Sequence, residues 1–176
     1  MKAFSEKIKL KDRIKLVDYD DMEIEKEQWG ELLATSVEKE NISRFYDQLE
    51  YMKQKKILLT IAEINKILQI IYIKYPQAVD LLHDWIDDNN LQMDSITYHF
   101  LIMSAIKFKG YRNAFNLFFR AHLFNIPQNL SVIITLSKNL NVIKNATEKM
   151  KYKNFIQIHV KKFHSVEIYK YKRFII

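Results

Sequence analysis

Apolar residues recur along most of this chain at the spacing of a helix. Trp29, Leu32, Leu33, Ser36 and Val37 fall at i, i+3, i+4, i+7 and i+8, which is one face of an amphipathic helix. After Glu38-Lys39-Glu40-Asn41 the pattern returns in Ile42, Phe45, Tyr46, Leu49 and Met52. A third face is Ile64, Ile67, Leu68, Ile71 and Tyr72, stopped near Pro76, a residue suited to a first helical turn because its missing N–H has no helical partner there. Ala78, Leu81, Leu82 and Trp85 carry the next face, ended by Asp87-Asp88-Asn89-Asn90. Tyr98, Leu101, Ile102, Ala105 and Ile106 make another, closed by Gly110. Ala114, Leu117, Phe118 and Ala121 follow, ending at Asn125-Ile126-Pro127. A weaker pair spans Leu130 to Leu140 and Val142 to Lys153.

These faces repeat at a nearly constant distance. Ala78, Leu81, Leu82 and Asn89 recur 36 positions later as Ala114, Leu117, Phe118 and Asn125. Ile64, Ile67, Leu68, Ile71 and Tyr72 recur 34 positions later as Tyr98, Leu101, Ile102, Ala105 and Ile106, and Trp29, Leu32 and Leu33 precede the same set by 35. A period near 35 with two helices per unit is the signature of stacked helical hairpins, none of which buries its apolar face alone. The expected fold is therefore all-α: a short, right-handed α-solenoid of three to four hairpins over residues 28–153. An N-terminal arm, 1–27, and a C-terminal tail, 154–176, flank it.

The tail follows a different pattern. Phe155, Ile156, Ile158, Val160, Val166, Ile168 and Tyr171 alternate with Gln157, His159, Lys161, Glu167, Lys170 and Lys172, the period of a strand. Such a tail is expected to be extended, or a hairpin turning at Lys162 to Ser165, with the apolar tip Phe174-Ile175-Ile176 docked on a partner. The arm alternates Lys2, Lys7, Lys9, Lys11, Arg13 and Lys15 with Phe4, Ile8, Leu10, Ile14 and Leu16, the pattern of an import signal or of a basic surface arm. Glu6 and Asp12 count against the former.

Composition sharpens this picture. Two Gly and two Pro in 176 residues are too few for a turn-rich sheet protein. Without Cys, disulfides, thiolate chemistry and Cys-based zinc sites are excluded. The apolar run Ile67 to Ile73, broken by Gln69 and closed by Lys74, falls short of the roughly 20 residues of a membrane helix. Net charge is +7, unevenly distributed: residues 138–176 hold ten Lys/Arg against Glu148 and Glu167, whereas 57–106 hold Lys66 and Lys74 against six acids. A basic C-terminal end suits an acidic partner, RNA above all.

Catalytic patterns are not evident. The histidines, His83, His99, His122, His159 and His164, form no HExxH motif and no i, i+4 pair, and His159 and His164 are expected at the surface. Asp84, Asp87, Asp88 and Asp94 are expected to cap a helix end in a solvated turn. Only Gly30 and Gly110 are available for a phosphate loop. No enzyme, cofactor or metal site is expected. Phe115, Phe119 and Phe124, added to Leu117 and Phe118, make one helix apolar nearly all round, which implies either deep burial or a contact surface.

The stretch Asp94-Ser95-Ile96-Thr97-Tyr98-His99-Phe100-Leu101-Ile102 resembles the opening of a pentatricopeptide repeat, D-x-V-T-Y-N-x-L-I. Lys107, Lys109 and Gly110 are similar to its K-x-G turn, shifted by one residue. Ala114, Leu117, Phe118, Asn125, Ile126 and Pro127 are similar to its second helix and exit. The resemblance is clear over Ile96 to Pro127 and weaker over the rest of 28–153. It implies base reading by side chains beside the Tyr of each first helix and at the end of each repeat. Carried onto this chain, the readers are Asn65 with Asp94, a pair implying a pyrimidine preference, and His99 with Gln128 or Asn129. The first repeat places Gly30 and Thr60 there, and Gly30 has no side chain to read with. One well-formed pair does not make a reading strip, so Lys161, Lys162, Lys170, Lys172 and Arg173 of the tail are the expected main RNA contacts. The resemblance implies a mitochondrial matrix protein. The few repeats, the excess apolar surface and the two long arms point to assembly, so the expected role is a structural subunit of a large ribonucleoprotein, the mitochondrial ribosome first, with neighbouring protein subunits. The alternative is a protein-binding accessory subunit of a respiratory or ATP-synthase complex.

Overall fold

A computed structural model describes residues 28–38 and 41–161. The arm 1–27 and residues 162–176 lie outside the described residues, and with them the import-signal reading and most of the tail. The described residues form eight α-helices and one short 3₁₀ turn, with no strand among them. The helices are α1 (Gln28–Glu38), α2 (Ile42–Lys55), α3 (Ile61–Ile71), α4 (Pro76–Asp88), α5 (Ser95–Phe108), α6 (Tyr111–Leu123), α7 (Leu130–Asn139) and α8 (Ala146–Val160), with the 3₁₀ turn at Leu140–Val142.

The helices begin and end where local chemistry dictates. Thr60 and Glu63 form a reciprocal capping box at α3: the Glu63 N–H donates to Thr60 Oγ1 at 3.3 Å, and the Thr60 N–H donates to Glu63 Oε2 at 2.7 Å. Asp94 caps α5, Asn129 caps α7, and Asn41 and Asn145 cap α2 and α8, each accepting a backbone N–H of the first turn. Gly110 opens α6 at φ +83°, a backbone region that L side chains rarely adopt.

The second helix of each of the first three pairs ends in the same way. Lys56, Asn90 and Asn125 take left-handed φ values of 56°, 52° and 56°. The N–H groups of Ile57, Leu91 and Ile126 then reach back to the carbonyls of Met52, Ile86 and Ala121 at 2.9, 3.1 and 2.9 Å. The N–H groups of Lys56, Asn90 and Asn125 close on Lys53, Asp87 and His122. These are Schellman caps, which satisfy the last carbonyls of a helix. They stand 34 and 35 residues apart, as do the N-caps Thr60, Asp94 and Asn129 that follow them.

Each helix packs on the next in sequence from α1 to α8, except α2 and α3. Beyond those neighbours, α1 lies on α3, α3 on α5, α5 on α7, and α2 on α4. The expected apolar faces point inward: Trp29, Leu33, Val37, Phe45, Met52, Ile64, Leu68, Leu82, Tyr98, Ile102 and Phe118 are buried. At about 25 cal/mol per Å² of apolar surface removed from water, this continuous core is the main stabilising term.

The C-terminal part departs from expectation. Phe155, Ile156, Ile158 and Val160 do not lie in an extended segment; they belong to α8, so helix continues past residue 153 to Val160. The alternation there is short, and the same stretch carries a helical stripe of Tyr152, Phe155, Ile156 and His159 at i, i+3, i+4 and i+7. Packing decides between the two periods. Phe115 stacks on Tyr152 with ring centroids 3.8 Å apart and planes within 2°, and Phe119 meets Phe155 at 4.1 Å. His122 meets His159 at 4.9 Å. Phe115 and Phe119 of α6 are thus covered by α8 running alongside it in the same direction, whereas Phe124 stays exposed. His159, expected at the surface, is buried at 6% exposure against Phe118.

Candidate nucleic-acid interface

The four expected base readers within the helices come together in pairs. Asn65 lies in the second turn of α3 and Asp94 caps α5, the next helix packed on that face. Asn65 Nδ2 donates to both Asp94 carboxylate oxygens, at 3.1 and 2.9 Å. The Thr97 hydroxyl is 2.8 Å from Asn65 Oδ1 and 2.9 Å from Asp94 Oδ1. Asp94 Oδ1 also accepts the N–H groups of Ile96 and Thr97 at 3.0 and 2.8 Å. Burial disfavours the Asp94 carboxylate, but the donors of Thr97, Asn65 and Ile96 together outweigh it and hold its pKa below the ordinary aspartate range. Asn65 itself is buried.

One repeat on, the same arrangement is built from other residues. His99 Nδ1 lies 3.1 Å from Asn129 Nδ2, so the ring accepts at Nδ1 when neutral. Burial lowers the His99 pKa, which favours the neutral ring. Asn129 Oδ1 caps α7 through the Val132 N–H at 3.1 Å and also accepts the Ser131 hydroxyl at 2.7 Å. Gln128, the alternative partner of His99, is buried and its amide turns to the carbonyls of Ile126 and Pro127. In the first repeat, a Cβ on Gly30 would meet the Glu63 side chain at 3.5 Å, in place of a reader facing Thr60. The expected positions therefore form a line of cross-hairpin hydrogen bonds, in which the reader groups engage each other.

The tail residues are placed only in part. Lys161 is exposed and follows α8, its N–H donating to the Gln157 carbonyl at 3.3 Å. Lys162, Lys170, Lys172 and Arg173 lie outside the described residues. Within α8, Lys151 is exposed and sits over the Phe119 ring at 5.4 Å, and Lys149 donates to Asn141 Oδ1 at 3.3 Å.

The acidic group serves a purpose that sequence inspection did not find. Asp88 pairs with Lys53 of α2 at 2.6 Å, Asp87 with Arg120 of α6, and Asp80 with Lys109. Arg112 of α6 reaches Glu148 of α8 at 3.2 Å. Asp94 is a helix cap, as described above. Successive second helices are thus laced by charge pairs between residues 33 to 36 apart. The signal was present as opposite charges one repeat apart.

Among the described residues no group of three His, Asp or Glu is arranged to hold a metal ion, and no helix is long and apolar enough to cross a membrane. No family model, curated protein or solved structure matches the chain.

Proposed function

We propose that this chain is a non-catalytic structural subunit of a large mitochondrial ribonucleoprotein, the mitochondrial ribosome, built as a short α-solenoid similar to pentatricopeptide repeats. In this reading it grips RNA backbone through Lys161, Lys162, Lys170, Lys172 and Arg173 and packs neighbouring proteins on its helices. The observation that carries it is the pairing of a repeated cap geometry, at 34 and 35 residues, with a basic excess that is largest at the C-terminal end, where residues 138–176 hold ten Lys/Arg against two acids. Repeated hairpins supply a rigid scaffold. Clustered Lys and Arg supply sequence-independent phosphate contacts. The reader pairs contribute little free recognition, because Asn65, Asp94, His99 and Asn129 already bond to each other across the hairpin seams.

Measuring single-stranded RNA affinity of the full chain against salt tests this. Five phosphate contacts give a slope of roughly −3.5 in log K against log salt on single strands. A protein-binding scaffold is the second reading, favoured by Leu123 and Phe124, exposed at 78% and 62%. A slope near zero with no measurable RNA affinity leaves that reading in place of the first.

A further inference from the structure

Lysine and arginine gather on one edge of the last two hairpins. The α5–α6 turn and its flanks carry Lys107, Lys109 and Arg112, and the α7–α8 turn and its flanks carry Lys138, Lys144 and Lys149. All but the half-buried Lys149 are exposed. The two turns form one surface: the Tyr111 hydroxyl donates to Asn139 Oδ1 at 2.8 Å, and Arg112 reaches Glu148 at 3.2 Å. The turn after α4, on the opposite edge, is reversed in sign: residues 84–94 hold Asp84, Asp87, Asp88 and Asp94 and no Lys or Arg.

The acids near these turns are already engaged. Glu148 accepts from Arg112 and, at 2.8 Å, from the Tyr152 hydroxyl, and Asp80 of α4 pairs with Lys109. Lys107 donates to the Ile73 carbonyl at 2.9 Å and Lys149 to Asn141 Oδ1 at 3.3 Å, both neutral acceptors that leave the charge in place. Among the described residues no carboxylate pairs with Lys107, Lys144 or Lys149. The surface therefore carries a local positive excess, which attracts a polyanion. α6 also opens here without a side-chain cap, and the positive end of its dipole adds to the field. Phe108 is 40% exposed between Lys107 and Lys109, with Lys107 Nζ 5.1 Å from its ring centre. An exposed ring among lysines serves a nucleic acid twice, through phosphates and through a stacked base.

We propose that the α5–α6 and α7–α8 turns form an RNA-backbone surface separate from the tail, with Lys107, Lys138, Lys144 and Lys149 on phosphates. Lys161 and the tail leave from the far end of α8, about 20 Å away at 1.5 Å per residue. The Asn65–Asp94 and His99–Asn129 pairs lie near the starts of the first helices, on the opposite edge from these turns. The choice of RNA over another polyanion rests on the proposed function; the charge of the surface does not.

The test is binding of single-stranded oligouridine to the full chain across salt concentrations. With Lys161, Lys162, Lys170, Lys172 and Arg173 all changed to Gln, the four contacts of the turns should keep a slope of about −2.8 in log K against log salt. Adding Lys107→Gln/Lys138→Gln/Lys144→Gln/Lys149→Gln should bring that slope near zero. Changing the same four to Arg instead should keep it, which separates lost charge from lost folding. Lys55→Gln/Lys56→Gln, on the opposite edge, should leave it unchanged. Phe108→Ala should weaken binding about 5-fold or more at an unchanged slope. If the unaltered chain binds with a steep slope but the tail variant has a slope near zero, only this inference is lost. Poly-glutamate bound at least as tightly as oligouridine, lost in the four-lysine variant and indifferent to Phe108→Ala, also overturns it and marks an acidic protein partner. If the unaltered chain has no RNA affinity, the proposed function is lost with it.

Discussion

The guanidinium of Arg120 grips the carboxylate of Asp87 through hydrogen bonds of 2.6 and 3.1 Å, and so ties α6 to α4. Both side chains are about 40% exposed, so solvent screens the pair. We expect Arg120→Met to cost about 0.5–1 kcal/mol, or roughly 1–3 °C in melting temperature for a chain of this size. The Arg120 hydrogen bond, opposed by burial, holds the Asp87 pKa below its ordinary value. Its stabilisation is therefore present above the ordinary aspartate pKa near ~4 and fades as pH falls further. Thermal melts of Arg120→Met and the wild type should converge at low pH. A constant gap from pH 7 to 2 would show that packing, not the ion pair, accounts for the loss.

Asp94 joins two hairpins by serving as a cap and as the acceptor for Asn65. Asp94→Ala removes an N-cap and leaves the buried Asn65 amide unpaired, at an expected cost of about 2–3 kcal/mol. Asp94→Asn keeps a capping oxygen and should lose about half as much. Equal melting of the two variants would mean that the capping oxygen contributes nothing.

Phe115 is fully buried against Tyr152, whereas Phe124, nine residues on, is 62% exposed. Phe115→Ala should destabilise by about 3–5 kcal/mol through loss of burial and the cavity left behind, and Phe124→Ala by less than about 0.5. Denaturant unfolding separates these cases. A small loss at Phe115 would contradict the placement of α8 against α6.

Burial lowers the pKa of both His83 and His99, so protonation is easier in the unfolded chain than in the folded one. Stability from this source is present above the ordinary histidine pKa near ~6.5 and lost as pH falls below it. A stability profile from pH 7.5 to 5 should decline, and the double variant His83→Gln/His99→Gln should flatten it. An unchanged slope in that variant would assign the decline to other groups.

How far the fold could be read from sequence depended on how many physical signals agreed. At Ala114, Phe118 and Ala121 the apolar period, the flanking Gly110 and the Asn125-Ile126-Pro127 exit coincide, and α6 forms as expected. At Phe155 to Val160 two periods competed over six residues, and the deciding fact, a ring-rich face on α6 needing cover, lies 36 residues away. Asn65, Asp94, His99 and Asn129 stand out as expected base readers through the resemblance to a pentatricopeptide repeat. That they bond to each other could not be read there, because it depends on how closely α3, α5 and α7 approach. The charge lacing through Asp87, Asp88 and Glu148 was hidden for the same reason: which base each acid meets depends on how the second helices stack one repeat away.

The most direct test of the central claim is ultraviolet crosslinking of the native assembly, with mass-spectrometric identification of what attaches to Lys161, Lys162, Lys170, Lys172 and Arg173. The account predicts nucleotide adducts on these residues, and fewer or none on Lys66 and Lys74 of the acidic middle region. Protein-only adducts on the basic end, with no RNA co-purifying, would contradict it.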